Sequence, residues 1–328
     1  MSDLSTTYLG LKLKSPIIAS SSGLTNSLQD IKELEANGVG AVVLKSLFEE
    51  EIITEMDRQM EAMHSENYLY PETMDYYENY QVEDTLTSYL KLIRDCKNEV
   101  KIPVIASINC ITAHNWPYFA KSIQDAGADA LELNIFASPS DMERSGAENE
   151  QLYFDIISAV KKEVSVPITI KINHYFSNLA SMVKKLSLSG IKGIVLFNRY
   201  YSPDIDVENM DVISTHVFSD SSEYVLPLRW IAITSSHVQC DLAASTGIHD
   251  GRTMIKMILA GAKAVQIATT LYKNGMDQTA RMLVELERWM KRKNFESIED
   301  FRGKLNQVNA ENPAGYLRLQ FMKHFSEV

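Results

Sequence analysis

The chain predicts an α/β fold, a (β/α)8 TIM barrel with long insertions in the loops after strands 2 and 6. Two patterns carry that expectation. Eight short apolar runs, at 16–20, 41–45, 103–108, 130–134, 167–171, 193–197, 240–244 and 264–268, alternate with helix-period segments along 328 residues. Several runs are apolar throughout, as in Val42-Val43-Leu44 and Ile194-Val195-Leu196-Phe197, the habit of parallel strands covered on both faces.

The helical segments fall at 27–36, 116–126, 149–164, 179–189, 227–236 and 251–260. Gly38, Gly127, Gly190 and Gly261 stand just before the next strand, where a glycine closes a helix. An open doubly wound sheet is the competing architecture. It would carry Gly-x-Gly-x-x-Gly after the first strand, and the chain has Ser20-Ser21-Ser22-Gly23 there. Extra length at 48–82 and 199–224 lies in two βα loops, which in a barrel rise over the C-terminal face that carries active sites. No repeat or low-complexity linker divides the chain, so 1–328 is expected to form one barrel domain with a C-terminal helical tail.

A formal net charge of −11 argues against a nucleic-acid partner, which requires a basic face. Cys96, Cys110 and Cys240 are widely spaced and include no Cys-x-x-Cys pair, so neither a disulfide framework nor a metal site is expected, and a reducing cytoplasm suits the chain. Residues 1–14 are polar, and no apolar run approaches the roughly 18 residues of a membrane span. A soluble protein without a membrane partner is the expectation.

Lys45 and Lys171 end the runs Ala-Val-Val-Leu-Lys and Ile-Thr-Ile-Lys, which aims two cations into the top of the barrel. One such lysine commonly snorkels to solvent. Two on different strands suit either a Schiff base with a carbonyl substrate or stabilisation of negative charge on a reduced flavin. In Ser245-Thr246-Gly247-Ile248 a strand turns through glycine into a helix, and backbone N–H groups converge there as on a phosphate. The eighth run ends in Ala268-Thr269, a small residue and a hydroxyl donor, and loops after strands seven and eight are the usual phosphate position of this barrel. An ordinary helix N-terminus would look similar. Asn134 and Asn198, after strands four and six, supply amides that both donate and accept. Ser138, in Phe136-Ala137-Ser138-Pro139, is either a turn serine or a group that reaches the centre.

Together these segments resemble the dihydroorotate dehydrogenase family of FMN-dependent barrels, especially its soluble class 1 branch, from about residue 11 to 305. The similarity is carried by Ser15-Pro16-Ile17-Ile18-Ala19-Ser20, Gly40-Ala41-Val42-Val43-Leu44-Lys45-Ser46, Glu132-Leu133-Asn134, Ser245-Thr246-Gly247-Ile248, the run 262–269, and the stretch 297–305. The resemblance implies oxidation of dihydroorotate to orotate in pyrimidine biosynthesis, with a base taking the C5 proton while hydride leaves C6 for flavin N5. It implies FMN contacts from Ala19, Ser20, Lys45, Ser46, Asn134, Lys171 and Asn198, and phosphate contacts from Thr246, Gly247, Ala268 and Thr269. Lys45, Asn67, Asn134 and Asn198 would face the substrate, Lys45 and Ser138 would serve catalysis, and a homodimer is implied. The electron acceptor stays open among fumarate, NAD and a partner's flavin.

The departures are specific. The soluble branch places its base Cys after Asn-Leu-Ser and the membrane-associated branch a Ser before Pro. Here Asn134-Ile135-Phe136-Ala137-Ser138-Pro139 has no Cys and one extra residue, which makes Ser138 the candidate base. Asn67-Tyr68-Leu69-Tyr70-Pro71 stands where the family carries Asn-x-Met-Gly, and Ser221-Ser222 where it carries a glycine pair. Three functions follow: a dihydroorotate dehydrogenase using Ser138, a flavin-binding relative with a changed dihydropyrimidine-like substrate or no dehydrogenation, and a Schiff-base aldolase on Lys171 or Lys45.

Overall fold

The computed structural model describes residues 2–54, 85–109, 115–137, 139–199, 202–215 and 217–317. Eight parallel strands close a barrel: β1 (Ile17–Ala19), β2 (Ala41–Val43), β3 (Val104–Asn109), β4 (Ala130–Asn134), β5 (Ile168–Ile172), β6 (Gly193–Leu196), β7 (Asp241–Ser245) and β8 (Ala264–Ile267). Each pairs with its chain neighbours, and β8 pairs back onto β1, which rules out the open sheet.

Successive strand residues point to opposite faces, and here they feed two separate cores. Ile17, Val42, Val104, Leu131, Ile170 and Val265 point outward into the shell beneath the helices. Ile18, Val43, Ile105, Ala130, Val195 and Ala264 point inward and meet Tyr8, Leu9 and Leu13. These last three come from an N-terminal hairpin, Thr6–Tyr8 against Leu11–Leu13, which plugs the N-terminal mouth. The Tyr8 hydroxyl shares a hydrogen bond with Thr169 Oγ1 (3.1 Å), and the Leu9 N–H donates to Asp241 Oδ2 (2.8 Å). Gly193 packs closely beside them: a Cβ would lie 2.4 Å from Leu9 Cδ2 and 2.9 Å from Thr169 Oγ1, so these side chains would have to shift. An apolar floor thus fills the lower barrel and leaves polar inward positions to its C-terminal half.

The main helices among the described residues are α1 (Leu28–Ala36), α2 (Thr85–Glu99), α3 (Trp116–Asp125), α4 (Gly146–Glu163), α5 (Leu179–Ser187), α6 (Val225–Thr234), α7 (Gly251–Ala260), the short α8 (Thr269–Asn274) and α9 (Gln278–Lys293). The glycines expected to end helices all take positive φ, 96° at Gly38, 100° at Gly127, 89° at Gly190 and 119° at Gly261. α4 starts at Gly146 rather than 149, because Ser145 and Glu148 form a reciprocal capping box that fixes the earlier turn. α6 starts at Val225 rather than 227, with Pro227 in its first turn, where a missing N–H leaves no bond unmade.

Of the first insertion, Leu47–Phe48 pairs with the end of β3 and 49–54 is helical, while Asn67 lies outside the described residues. The second insertion folds as an antiparallel hairpin, Ser202–Asp206 against Asp211–Thr215. After α9 the chain returns to α7, where the Gly303 and Leu305 N–H groups donate to the carbonyls of Ile258 and Leu259. No helix among the described residues is long and apolar enough to cross a membrane.

Candidate active site

Above the apolar floor the inward positions become polar: Ser20, Ser107, Glu132, Lys171, Ser245 and Gln266, all buried. Glu132, 1% exposed, sits in mid-strand on β4 and accepts from Gln266 Nε2 through Oε2 (2.5 Å). Lys171 Nζ donates to Gln266 Oε1 (3.0 Å) and Ser20 Oγ (3.1 Å), and stands 3.9 Å from Glu132 Oε1, a buried oxygen without a hydrogen-bond partner. Burial pushes the Lys171 ammonium below its ordinary value, and the Glu132 carboxylate opposes that shift.

Lys45 is not the equivalent of Lys171. β2 stops at Val43, so Lys45 stands beyond the strand at the rim, its side chain 38% exposed and its Nζ 3.3 Å from Glu51 Oε1. Next to it, Ser46 is buried. Its N–H donates to Ser21 Oγ (2.9 Å), and its hydroxyl lies 2.7 Å from Ser107 Oγ. Tyr89 of α2 braces this hydroxyl chain by donating to the Ser107 carbonyl (3.0 Å) and accepting from the Ser107 N–H (2.9 Å).

The two asparagines meet directly, Asn198 Nδ2 donating to Asn134 Oδ1 (2.5 Å), and the Asn198 N–H is held by the Ile172 carbonyl (2.8 Å). Ala19 belongs to the outer core, so what it can offer a ligand is backbone. Ser138 lies outside the described residues. The loop leading to it is anchored by Tyr153, whose hydroxyl donates to the Ile135 carbonyl (3.5 Å) and which burial pushes up to about 12.

At the other end, Thr246 and Gly247 turn with φ of 79° and 74°. Glycine is obligatory at 247, since a Cβ would lie 2.2 Å from the Tyr224 nitrogen. The segment 217–224 is tied across this turn from three sides. The Ser219 N–H donates to Thr269 Oγ1 (3.2 Å), Lys273 Nζ to the Ser219 carbonyl (3.1 Å), and Arg199 pairs with Glu223 (3.0 Å) while donating to the Val217 carbonyl (3.0 Å). The Ser219 hydroxyl also meets His249 Nε2 (2.9 Å), and burial, then Lys273, holds that imidazole below its ordinary value. Ser20, Lys171, Asn198, Thr246, Gly247, Ala268 and Thr269 line one cavity, together with Arg199. Lys45 and Ser46 line a separate one with Asn26 and Tyr89.

The first cavity offers a buried cation and amide donors at the barrel centre, and a glycine turn with a hydroxyl at one end. A planar polar ring with an anionic tail matches that layout. Sequence reasoning singled out seven of the lining residues, Ser20, Lys171, Asn198, Thr246, Gly247, Ala268 and Thr269, but not Arg199 or Gln266, and assigned no role to Glu132, Ser107 or Tyr89. The available signal was a polar residue at alternate positions inside β4, β5 and β8, where Glu132, Lys171 and Gln266 interrupt apolar neighbours.

Comparison with known proteins gives a consistent result. The family profile described as Dihydroorotate dehydrogenase matches residues 3–290. The chain is 28% identical over 319 residues to the catalytic subunit of dihydroorotate dehydrogenase B (NAD(+)) of Thermoplasma volcanium, spanning 92% of this chain and 98% of that one. It is 26% identical over 314 residues to the protein of the same name from Thermoplasma acidophilum, spanning 92% of this chain and 99% of that one. It is also 23% identical over 322 residues to the NAD-dependent dihydropyrimidine dehydrogenase subunit PreA of Escherichia coli, spanning 93% of this chain and 77% of that one.

Proposed function

The chain belongs to the dihydroorotate dehydrogenase family, as an oxidoreductase acting on a CH–CH bond, and from that premise we infer that it uses FMN to oxidise dihydroorotate. The supporting observation is one cavity that joins the buried Lys171 ammonium to the Thr246-Gly247 turn. The residues of that cavity are of the kinds FMN would need. The Thr246-Gly247 turn lines the cavity and offers backbone N–H groups to a phosphate, and Thr269 adds a hydroxyl. Ser20 and Lys171 supply donors suited to the pyrimidine end of the flavin, with Asn198 beside them in the cavity; Asn134 would act next to Asn198, which it bonds, Ser46 next to Ser21, and Ala19 through its backbone.

FMN, when bound, supplies the hydride acceptor. The rest is the work of this chain's own groups. Lys45, Asn134 and Asn198, with Asn67, would hold the substrate's carboxylate and amide groups by charge-assisted and neutral hydrogen bonds. Ser138 would remove the C5 proton as the C6 hydride departs, in the role that a Cys fills in the soluble branch. The protein would act as a cytoplasmic homodimer in pyrimidine biosynthesis, and the relatives' names make NAD the first acceptor to try. Family membership sets the Schiff-base aldolase aside.

A second reading keeps the flavin and changes the reaction. It is favoured by Ile135-Phe136-Ala137, which replaces the Cys-bearing segment, and by the dihydropyrimidine dehydrogenase among the relatives. One experiment separates the two. The purified protein is examined for flavin absorbance, then mixed without oxygen with dihydroorotate and, separately, with dihydrouracil, which lacks the carboxylate. Bleaching by dihydroorotate, abolished by Ser138→Ala, supports the first reading. Bleaching by dihydrouracil alone, or by neither, transfers support to the second, and a colourless protein that takes up no FMN removes both.

A further inference from the structure

Resting on the flavin reading above, we propose that Glu132 is a positioning residue that tunes the cofactor's redox chemistry. Its buried carboxylate holds the Lys171 ammonium charged and in place at the wall of the cofactor cavity, and so sets the flavin's reduction potential. Glu132 does not line that cavity, whereas Lys171, Gln266 and Ser20 do. It therefore acts through them.

The hydrogen-bond directions support this arrangement. Gln266 uses its amide in both senses, accepting from Lys171 through Oε1 and donating to Glu132 through Nε2. A cation on one side and a carboxylate on the other fix that amide in a single orientation. Gln266 and Ser20 take two of the three Lys171 N–H groups. The remaining Glu132 oxygen, unpartnered and buried, stands 3.9 Å from the same ammonium. A buried carboxylate left this way is costly unless a charge opposes it. Among the described residues, Glu132 also acts on the hydroxyls of Tyr8, from the N-terminal hairpin, and Tyr89, from α2. Burial keeps both protonated.

Reduction places negative charge on the pyrimidine end of a flavin, where the ammonium favours it and the carboxylate behind the ammonium moderates the effect. Removing the carboxylate's charge leaves two possibilities. While Lys171 keeps its proton, the reduced cofactor gains stability. Once burial alone strips that proton, reduction must take one up to restore the ammonium, and the potential becomes more steeply dependent on pH.

The test is the midpoint potential of FMN-loaded wild type, Glu132→Gln and Glu132→Asp between pH 6 and 9, by reductive titration against a reference dye. Glu132→Gln is expected to favour the reduced form at least tenfold at the acidic end, about 30 mV for a two-electron couple, and to take up one further proton per reduction at the alkaline end. Glu132→Asp, which keeps the charge but draws it back, is expected between the two curves, and it carries the test if the Gln variant does not fold. Curves that superimpose on wild type in a yellow, folded variant overturn the proposal alone. A wild type that binds no FMN overturns the proposal and the flavin reading together.

Discussion

Gly247 carries a steric demand that no side-chain adjustment relieves, because the atom a Cβ would meet, 2.2 Å away, is the backbone nitrogen of Tyr224. Its φ of 74° adds the left-handed penalty of about 1–2 kcal/mol for a residue with a Cβ. Gly247→Ala is therefore expected to weaken FMN binding at least tenfold and to lower the melting temperature. Quenching of flavin fluorescence on binding measures the first, and an unchanged affinity would show that the 246–247 turn does not hold the phosphate. His249 makes a different prediction. Its imidazole is held below its ordinary value by burial and Lys273, against Asp220, Asp250 and Glu223. Between that lowered value and the unperturbed one near 6.5, the unfolded chain binds more protons than the folded one. The stability from the neutral, buried imidazole is thus intact above about pH 6.5 and lost as pH falls below it. Thermal melts at pH 7.5 and 5.5 should show the fall, and His249→Asn should shrink it. Equal falls in both proteins would remove His249 as its source. The site was legible in the sequence wherever a residue sits at a strand end or in a glycine turn, as with Lys171, Asn134, Thr246 and Gly247. Glu132 and Gln266 were not legible as partners, because 134 positions separate them and only barrel closure brings β8 across from β4.

Among the elements, the N-terminal hairpin tests whether floor and site are separate. Leu13 is fully buried in the inner core with Tyr8 and Leu9, while the cofactor cavity is lined from the opposite end of the strands. Leu13→Ala should cost about 2–5 kcal/mol, the range for a leucine truncated in a packed core. FMN affinity should stay within about twofold of wild type when the folded protein is titrated. A large loss of affinity without a loss of stability would show that the floor positions the polar layer above it. The strands themselves followed directly from apolar runs, and α1 and α7 from helix-period segments closed by Gly38 and Gly261; the caps Ser27 and Asp250 are what the structure adds at their starts. Lys45 and Lys171 show where that kind of reasoning stops. Both follow an aliphatic residue in similar runs, yet β2 ends two residues before Lys45 and β5 continues through Lys171 to Ile172. Strand length, fixed by pairing with neighbours rather than by local sequence, decides which lysine is buried.

For the whole molecule, an apolar lower barrel and a polar upper one put the polar groups of Lys171, Asn198 and Thr246 around a single cavity. Anything that binds the folded state alone stabilises it by mass action, by about 2.7 kcal/mol at a hundred times its dissociation constant. FMN should therefore raise the melting temperature by an amount that grows with its concentration. The net charge of −11 works against any anion at long range, so selectivity for a phosphate must come from local groups. On the flavin reading the Thr246-Gly247 turn and Thr269 would provide it, under a segment tied down by Arg199 and Lys273. Riboflavin carries the same ring without the phosphate. At equal concentration it should shift the melting temperature much less than FMN, and Gly247→Ala should bring the two shifts together. Equal shifts in the wild type would mean that the ring alone is recognised and that this end of the cavity serves another ligand.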